Sequence, residues 1–168
     1  LLKHLIMLMI KKIKNKKILV LTYWSFPGFE NTDLSLVHIL RTNKNFSVTY
    51  GVITEKLVEE DAKKKNLFSK FPCLPQNLRN TKEFINANTI WINKRIIFEE
   101  LIKQNDVIIF GAFRGMDNLS LYIRSQNKII ISHQNPANLE QCFTKYLPNQ
   151  LYVHNQILKK TYTNQIEK

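Results

Sequence analysis

DVIIFGAFRGMDNLSLYIRSQNKIIISHQN, residues 106–135, contains two short apolar runs on either side of a segment with helical patterning. The runs at 106–110 and 128–132 are continuous series of β-forming residues, which is typical of strands that are covered on both faces. The segment 117–126 between them is predicted to form a helix. Two strands joined by a helix at this spacing lie parallel in one sheet, so the stretch predicts a β-α-β unit.

The same alternation extends along the chain. Apolar runs predict further strands at 17–23, 46–54 and 150–153, and 88–92 fits either a short strand or the lead-in to a helix. A first helix is predicted from an N-cap at Asn31, Thr32 or Asp33 to about Asn43. Further helices are predicted at 55–66, at 138–146 and from Gln156 onward, and one more ends at Gln104, where residues 97, 98, 101 and 102 form its apolar face. The sequence therefore predicts an α/β fold with a Rossmann-like parallel sheet of about five to six strands and helices on both faces.

Composition favours a folded, basic domain. The 168 residues are 44% hydrophobic, which excludes a disordered tail. Lys and Arg number 25 against 13 Asp and Glu, a formal charge of +12. This excess indicates an anionic partner: nucleic acid, a phosphate-bearing substrate or an acidic membrane surface. The alternative is compositional bias, because the chain is also rich in Asn and Ile, as expected from AT-rich coding DNA.

Several kinds of site are excluded by missing motifs. The first predicted strand is not followed by GxGxxG, and GxxxxGK[ST] does not occur, which argues against dinucleotide binding and P-loop nucleotide hydrolysis. Cys73 and Cys142 have no metal-ligand spacing, and the four histidines are scattered. We therefore expect no metal site and no cofactor, and two free thiols.

The first fourteen residues form a segment of their own. LLKHLIMLMI, residues 1–10, is apolar and is followed by a lysine-rich stretch. A secretory signal has the opposite order, and ten residues are fewer than the roughly 20 that span a bilayer. We interpret 1–14 as an N-terminal extension, either part of an over-extended reading frame or a short basic helix on a membrane surface.

Polar or glycine-containing loops follow three of the predicted strands. In parallel α/β sheets, ligands bind at the carboxyl ends of the strands. These exits carry WSFPGFEN (24–31), GAFRGMDN (111–118) and the polar run at 133–135. The glycines there allow tight turns or close approach of a ligand, and Arg114 can bind phosphate or carboxylate through two hydrogen bonds. Glu30 or Asp33 could act as a general base.

Each of these residues also has a purely structural interpretation. Glycines after strands commonly only form turns, and Arg114 could be a solvated loop residue. His133 could cap the next helix, Asn135 fits a turn before Pro136, and Asp33 could cap the first helix. The aromatic residues at 24–29 could stack on a sugar ring or pack the loop onto the sheet.

Four stretches together resemble a known family: KKILVLTYWSFPGFEN (16–31), the stretch 106–135, QLYVHN (150–155) and ILKKTYTNQ (157–165). They are similar to the N-terminal, acceptor-side domain of GT-B-fold glycosyltransferases that build bacterial surface polysaccharide. The similarity covers 15–168 and lies in the pattern more than in a unique motif. A looser similarity is to polyol-phosphate transferases of teichoic-acid synthesis, which share this architecture.

The resemblance implies a function and a set of site residues. Residues 15–168 are the Rossmann-like N-terminal half, which binds a glycan or lipid-linked acceptor. A C-terminal domain absent from this sequence binds the nucleotide-sugar donor, so the chain is an enzyme only when that domain completes it. The implied catalytic residues are His133 and Glu30. The implied substrate-binding residues are Ser25, Gly28, Phe29, Gly111, Arg114 and Asn135.

The family also implies a cytoplasmic protein that can lie peripherally on the anionic inner membrane. Two other functions remain open: a non-catalytic Rossmann-like binding module or truncated gene product, and a nucleic-acid-binding domain. The last is the least favoured, because the basic residues are spread along the chain and the aromatic residues accompany apolar runs.

Overall fold

A computed structural model of the chain describes residues 15–22, 29–42, 44–63, 67–68, 82–111, 117–134 and 150–153. For residues 29–32, 111, 117, 133–134 and 150–153 it describes the backbone only. The strands are β1 (Lys17–Thr22), β2 (Ser47–Ile53), β3 (Ile90–Ile92), β4 (Val107–Gly111), β5 (Ile129–Gln134) and β6 (Gln150–Val153). The helices are α1 (Phe29–Arg41), α2 (Glu55–Ala62), α3 (Lys82–Asn86), α4 (Arg95–Gln104) and α5 (Asp117–Ser125).

The six strands form one parallel sheet in the order β3-β2-β1-β4-β5-β6. In the centre, Val20 of β1 is in register with Tyr50 of β2 and Ile109 of β4. Because every strand runs in the same direction, the carboxyl ends of all six strands lie at one edge of the sheet, which we call the C-terminal edge. The predicted parallel α/β fold is confirmed.

Two hydrophobic cores cover the two faces of this sheet. Ile18 and Val20 of β1 belong to a core with α1 and Phe84 of α3. Leu19 and Leu21 belong to a second core with α2, α4 and α5. Successive strand residues point to opposite faces, so a continuous apolar run supplies both cores. Helices on both faces, as predicted, follow from this arrangement.

Two helices differ from the prediction. Helix α1 begins at Phe29, so Asn31, Thr32 and Asp33 lie within it and the predicted N-caps are wrong. The carboxylate of Asp33 is buried against β1 instead, where it accepts a hydrogen bond from Thr22. The short helix α3 was not predicted, because five residues give too little periodicity; it places the buried ring of Phe84 on the sheet.

Some predicted elements cannot be compared with the structure. The helices at 138–146 and from Gln156 onward lie outside the described residues, as does the extension 1–14. Among the helices that are described, none is long and apolar enough to cross a membrane.

Gly51 of β2 lies where the sheet packs most closely. A Cβ atom there would be 2.8 Å from Cδ1 of Ile92 and 3.4 Å from Cδ2 of Leu21. All three residues are buried. The absence of a side chain at Gly51 therefore makes room for the side chain of Ile92 across the β2–β3 pair.

We expect Gly51→Ala and Ile92→Val to be coupled. Alanine at 51 clashes with Cδ1 of Ile92, and an overpacked core is destabilised by about 1–3 kcal/mol. Valine at 92 lacks that carbon. Ile92→Val should therefore lower the free energy of unfolding by about 1 kcal/mol less in the Gly51→Ala background than in the wild type. Urea unfolding of the four proteins measures this coupling. The same cycle with Ser47→Ala, an exposed position of β2, should show none; additive effects at Gly51 would contradict the clash.

Candidate functional site

The chain reverses its direction of winding between β1 and β4. These strands are neighbours, yet α1, which follows β1, packs on one face of the sheet, whereas α5, which follows β4, packs on the other. The helices that follow these two neighbouring strands therefore lie on opposite faces of the sheet. Such a switch point leaves a crevice, and in open α/β sheets this is where ligands bind.

The structure brings some of the predicted site residues to this edge. Gly111 ends β4 and is in register with His133 of β5, which is also in register with Tyr152 of β6. Phe29 and Glu30 form the beginning of α1, the helix that follows the exit of β1. Ser25, Gly28, Arg114 and Asn135 lie outside the described residues.

The end of β5 differs from the prediction. The strand was expected to end at Ser132, with His133 in a loop, but it continues to Gln134. Ser132 is buried, and its hydroxyl donates a hydrogen bond to the carbonyl oxygen of Phe110 at 3.0 Å. This bond joins β4 to β5 immediately before Gly111 and His133. The backbone of His133 is therefore fixed by strand pairing on both sides.

A buried polar cluster lies where β1 ends. The Thr22 hydroxyl donates to Oδ2 of Asp33 at 2.6 Å, and its oxygen is 2.8 Å from the Tyr50 hydroxyl. An ionised carboxylate can only accept, and Thr22 has one proton to donate, so Tyr50 donates to Thr22. The exposed fractions of Thr22, Asp33 and Tyr50 are 1%, 1% and 0%. We call these three residues the β1-end triad.

The β1-end triad connects three elements beneath the candidate crevice. It ties the last residue of β1 to α1 and to the middle of β2. Asp33 follows Glu30 by about one helical turn, so anchoring Asp33 also fixes the backbone from which Glu30 and Phe29 project. Sequence reasoning considered Asp33 only as a cap or a base; the signal for the triad was a threonine ending an otherwise apolar run.

A second polar cluster joins three helices on the other face. Arg95 of α4 donates to Oδ1 of buried Asp61 at 2.9 Å and to Oε1 of Glu99 at 2.8 Å. Its guanidinium carbon lies 5.0 Å from the ring centre of Tyr122 and 5.8 Å from that of Phe98. Oδ2 of Asp61 also accepts from the backbone N–H of a neighbouring segment. These contacts identify a structural clamp between α2, α4 and α5.

Among the residues that the structure describes, the perturbed pKa values lie away from the C-terminal edge. Burial lowers the pKa of Arg41, whose guanidinium donates to the carbonyl oxygens of Val48 and Ala87 at the opposite end of the sheet. Burial, followed by the charge of Glu99, raises the pKa of Tyr122, and Arg95 opposes this rise. Within the described ranges, no three His, Cys, Asp or Glu side chains are grouped as metal ligands.

Comparison with known proteins gives little further information. No family model matches the chain, and no curated protein matches it. Two solved structures of the glycosyltransferase GlyE from Streptococcus pneumoniae TIGR4, one of the apo form, have a TM-score of 0.44 and 10% sequence identity to it. The matches cover 92% of this chain and 33% of the GlyE chain, so the chain spans about a third of that protein. A similarity at this level carries no conclusion about activity.

We expect Asp33→Ala to lower the free energy of unfolding by about 1–3 kcal/mol, because it leaves the buried Thr22 hydroxyl without its acceptor. Ser35→Ala is the control, since Ser35 is exposed on the same helix and should change stability by less than about 0.5 kcal/mol. Tyr50→Phe removes one donor and should fall between the two. Equal unfolding midpoints for Asp33→Ala and Ser35→Ala in urea would show that the triad contributes nothing.

The raised pKa of Tyr122 gives a prediction for alkaline pH. The unfolded chain loses this proton first, so the stabilisation is complete below the ordinary tyrosine pKa of about 10 and is lost as pH rises through the folded pKa. Tyr122→Phe has no such proton and retains the ring. We expect its free energy of unfolding to fall less steeply than that of the wild type above about pH 9; equal slopes in urea titrations across this range would refute the assignment.

Proposed function

We propose that this chain is the acceptor-side half of a glycosyltransferase that moves a sugar from a nucleotide-sugar donor to a cell-surface glycan or lipid-linked acceptor. The observation that carries the proposal is the switch point between β1 and β4. It brings the beginning of α1 and the Gly111–His133 pair to one edge of a parallel sheet. The sequence resemblance to acceptor-side domains supports the same function.

The proposed roles are those that the sequence resemblance implies, and the positions of His133, Glu30, Phe29 and Gly111 in the fold support them. His133, at the end of β5, is assigned to contact with the transferred sugar, and Glu30, in the first turn of α1, to removal of the proton from the acceptor hydroxyl. Asp33 is less suited to that task because its carboxylate is buried and bonded to Thr22. Phe29, the first residue of α1, is assigned to the acceptor, as the resemblance assigns Ser25 and Gly28. Gly111, which ends β4, is assigned to substrate binding, as the resemblance assigns Arg114 and Asn135.

Donor binding is assigned to a second domain. Transfer requires groups that hold the diphosphate of the nucleotide-sugar, and the motifs of this chain do not include a phosphate-binding loop. A donor-binding domain therefore completes the active enzyme. No metal or other cofactor is included in the proposal.

A non-catalytic binding module is the second candidate. Asp33, an acidic side chain at this edge that the structure describes, is engaged in structural hydrogen bonds. A carboxylate that is buried in structural hydrogen bonds is not available as a base, and this is expected in a module that carries out no acid-base chemistry. The two functions differ in whether His133 and Glu30 affect a reaction rate.

The test is sugar transfer by the chain joined to a donor-binding domain. Glu30→Gln removes the proposed general base, and His133→Ala removes the proposed contact with the sugar. Each substitution should lower the rate of transfer by at least about 100-fold. Transfer of a radiolabelled sugar from the nucleotide-sugar to the glycan acceptor gives the rate.

Matched controls are available in the same chain. His38 in the last turn of α1 and Glu59 in α2 are both exposed, so His38→Ala and Glu59→Gln should leave the rate within about twofold. Unchanged rates in both site variants, with unfolding midpoints equal to the wild type, would eliminate the assigned roles and favour the binding module.

A further inference from the structure

Asp33 is the polar exception on the face by which α1 packs on the sheet. The other side chains of α1 that are buried, among those that the structure describes, are all apolar: Leu34, Leu36, Val37 and Leu40. This apolar stripe already holds the helix on β1, so attachment alone does not need a carboxylate at 33. A buried hydrogen bond such as that between Asp33 and Thr22 selects one particular arrangement, because its strength depends on direction as well as distance.

Strand register places Thr22 level with the candidate site. Leu21 of β1 is in register with Phe110 of β4. The next residue of β4, Gly111, is in register with His133 of β5. Because Thr22 follows Leu21, it lies in the same row across the sheet as Gly111 and His133. Two strand spacings separate β1 from β5, so the backbones of Thr22 and His133 are about 10 Å apart.

The same threonine is bonded to α1 through its side chain. Its hydroxyl donates to Asp33 at 2.6 Å. Asp33 lies three residues after Glu30 in α1, so the two positions are neighbours on one side of the helix, with Glu30 nearer to the C-terminal edge. Three residues of helix rise about 4.5 Å. The hydrogen bond from Thr22 therefore controls where the backbone of Glu30 lies relative to the row that contains His133.

Tyr50 sets the direction of this hydrogen bond. Its hydroxyl lies 2.8 Å from the hydroxyl oxygen of Thr22 and donates to it. The proton of Thr22 is thereby directed at Asp33. The ring of Tyr50 is held in turn by Phe84 of α3, whose ring centre is 6.2 Å away in a stacked arrangement. All four side chains are buried, so the orientation of the Thr22 hydroxyl is set by the protein and not by solvent.

We propose that Thr22 is a positioning residue for sugar transfer. Its hydroxyl, oriented by Tyr50, holds α1 through Asp33 so that Glu30 meets the acceptor hydroxyl in the geometry that proton removal needs. This role rests on the proposed function, in which the acceptor oxygen bonds to the anomeric carbon, the nucleotide leaves with its electron pair, and Glu30 takes the hydroxyl proton. A displacement of about 1 Å at a reacting group can lower a rate by about 100-fold. Thr22 itself does not contact the substrate and acts only through Glu30.

The test compares Thr22→Val with Thr22→Ser in the chain joined to a donor-binding domain. Valine has nearly the shape of threonine but no hydroxyl, so kcat for sugar transfer should fall by at least about 10-fold. KM for the nucleotide-sugar should change by less than about twofold, because the base acts in the transition state. Serine keeps the hydroxyl, so Thr22→Ser should recover most of the loss in kcat.

Two controls separate positioning from a general loss of structure. Ile18→Val also trims a buried side chain of β1 in the core shared with α1, but at the opposite end of the strand, and it should leave kcat within about twofold. The second control is a double-mutant cycle. In the Glu30→Gln background the base is already absent, so Thr22→Val should lower kcat further by less than about twofold. Urea unfolding midpoints verify that every variant is folded under the assay conditions.

Four results would overturn the proposal, and they differ from failure of the proposed function alone. Wild-type kcat in Thr22→Val, together with the full loss in Glu30→Gln, removes the positioning role and leaves the function intact. Equal losses in Thr22→Val and Thr22→Ser show that the hydroxyl is not what matters. Losses that multiply in the double mutant show that Thr22 acts otherwise than through Glu30. Wild-type kcat in Glu30→Gln removes the base itself, and the role of Thr22 with it.

Discussion

Parallel pairing of β1 with β2 on one side and β4 on the other is the constraint on which the rest of the structure depends. It divides the apolar run of β1 between two cores, with Ile18 and Val20 against one and Leu19 and Leu21 against the other. A slip of one residue would exchange the two faces of the strand, so the packing of both helical layers fixes the register. The same pairing places α1 and α5 on opposite faces of the sheet, and in open α/β sheets this arrangement leaves a ligand-binding crevice at the C-terminal edge.

The β1-end triad fixes the position of α1 relative to the end of β1 more closely than apolar packing alone could. A buried carboxylate is costly unless hydrogen bonds replace its hydration, and here the Thr22 hydroxyl supplies one at 2.6 Å while Tyr50 completes the chain. Apolar side chains tolerate small sliding movements of a helix, whereas a hydrogen bond to a carboxylate does not. The beginning of α1 therefore has a fixed position relative to the end of β1, and the loop between them has fixed ends.

Sequence patterns predicted the strands well because a strand buried on both faces is a continuous apolar run, and β1 and β4 illustrate this. The patterns failed where long-range contacts decide. Ser132 and His133 look like a loop, yet pairing with β4 and β6 keeps both in the strand. Asp33 looks like a helix cap, but its partners are 11 and, through Thr22, 17 residues away in the sequence. The candidate site was predicted from the rule that ligands bind at the carboxyl ends of parallel strands. The hydrogen bonds that fix the backbone at this edge join residues distant in sequence, so the pattern did not predict them.

The two ends of the sheet are electrostatically distinct because of the fold itself. Helices in a parallel α/β protein run opposite to the strands, so their positive ends lie at the C-terminal edge and their negative ends lie at the edge where the strands begin. Lys103 and Arg124 lie in the last turns of α4 and α5, where a cation stabilises the helix. The edge where the strands begin therefore carries cations that offset the negative helix ends, whereas the C-terminal edge carries the positive helix ends.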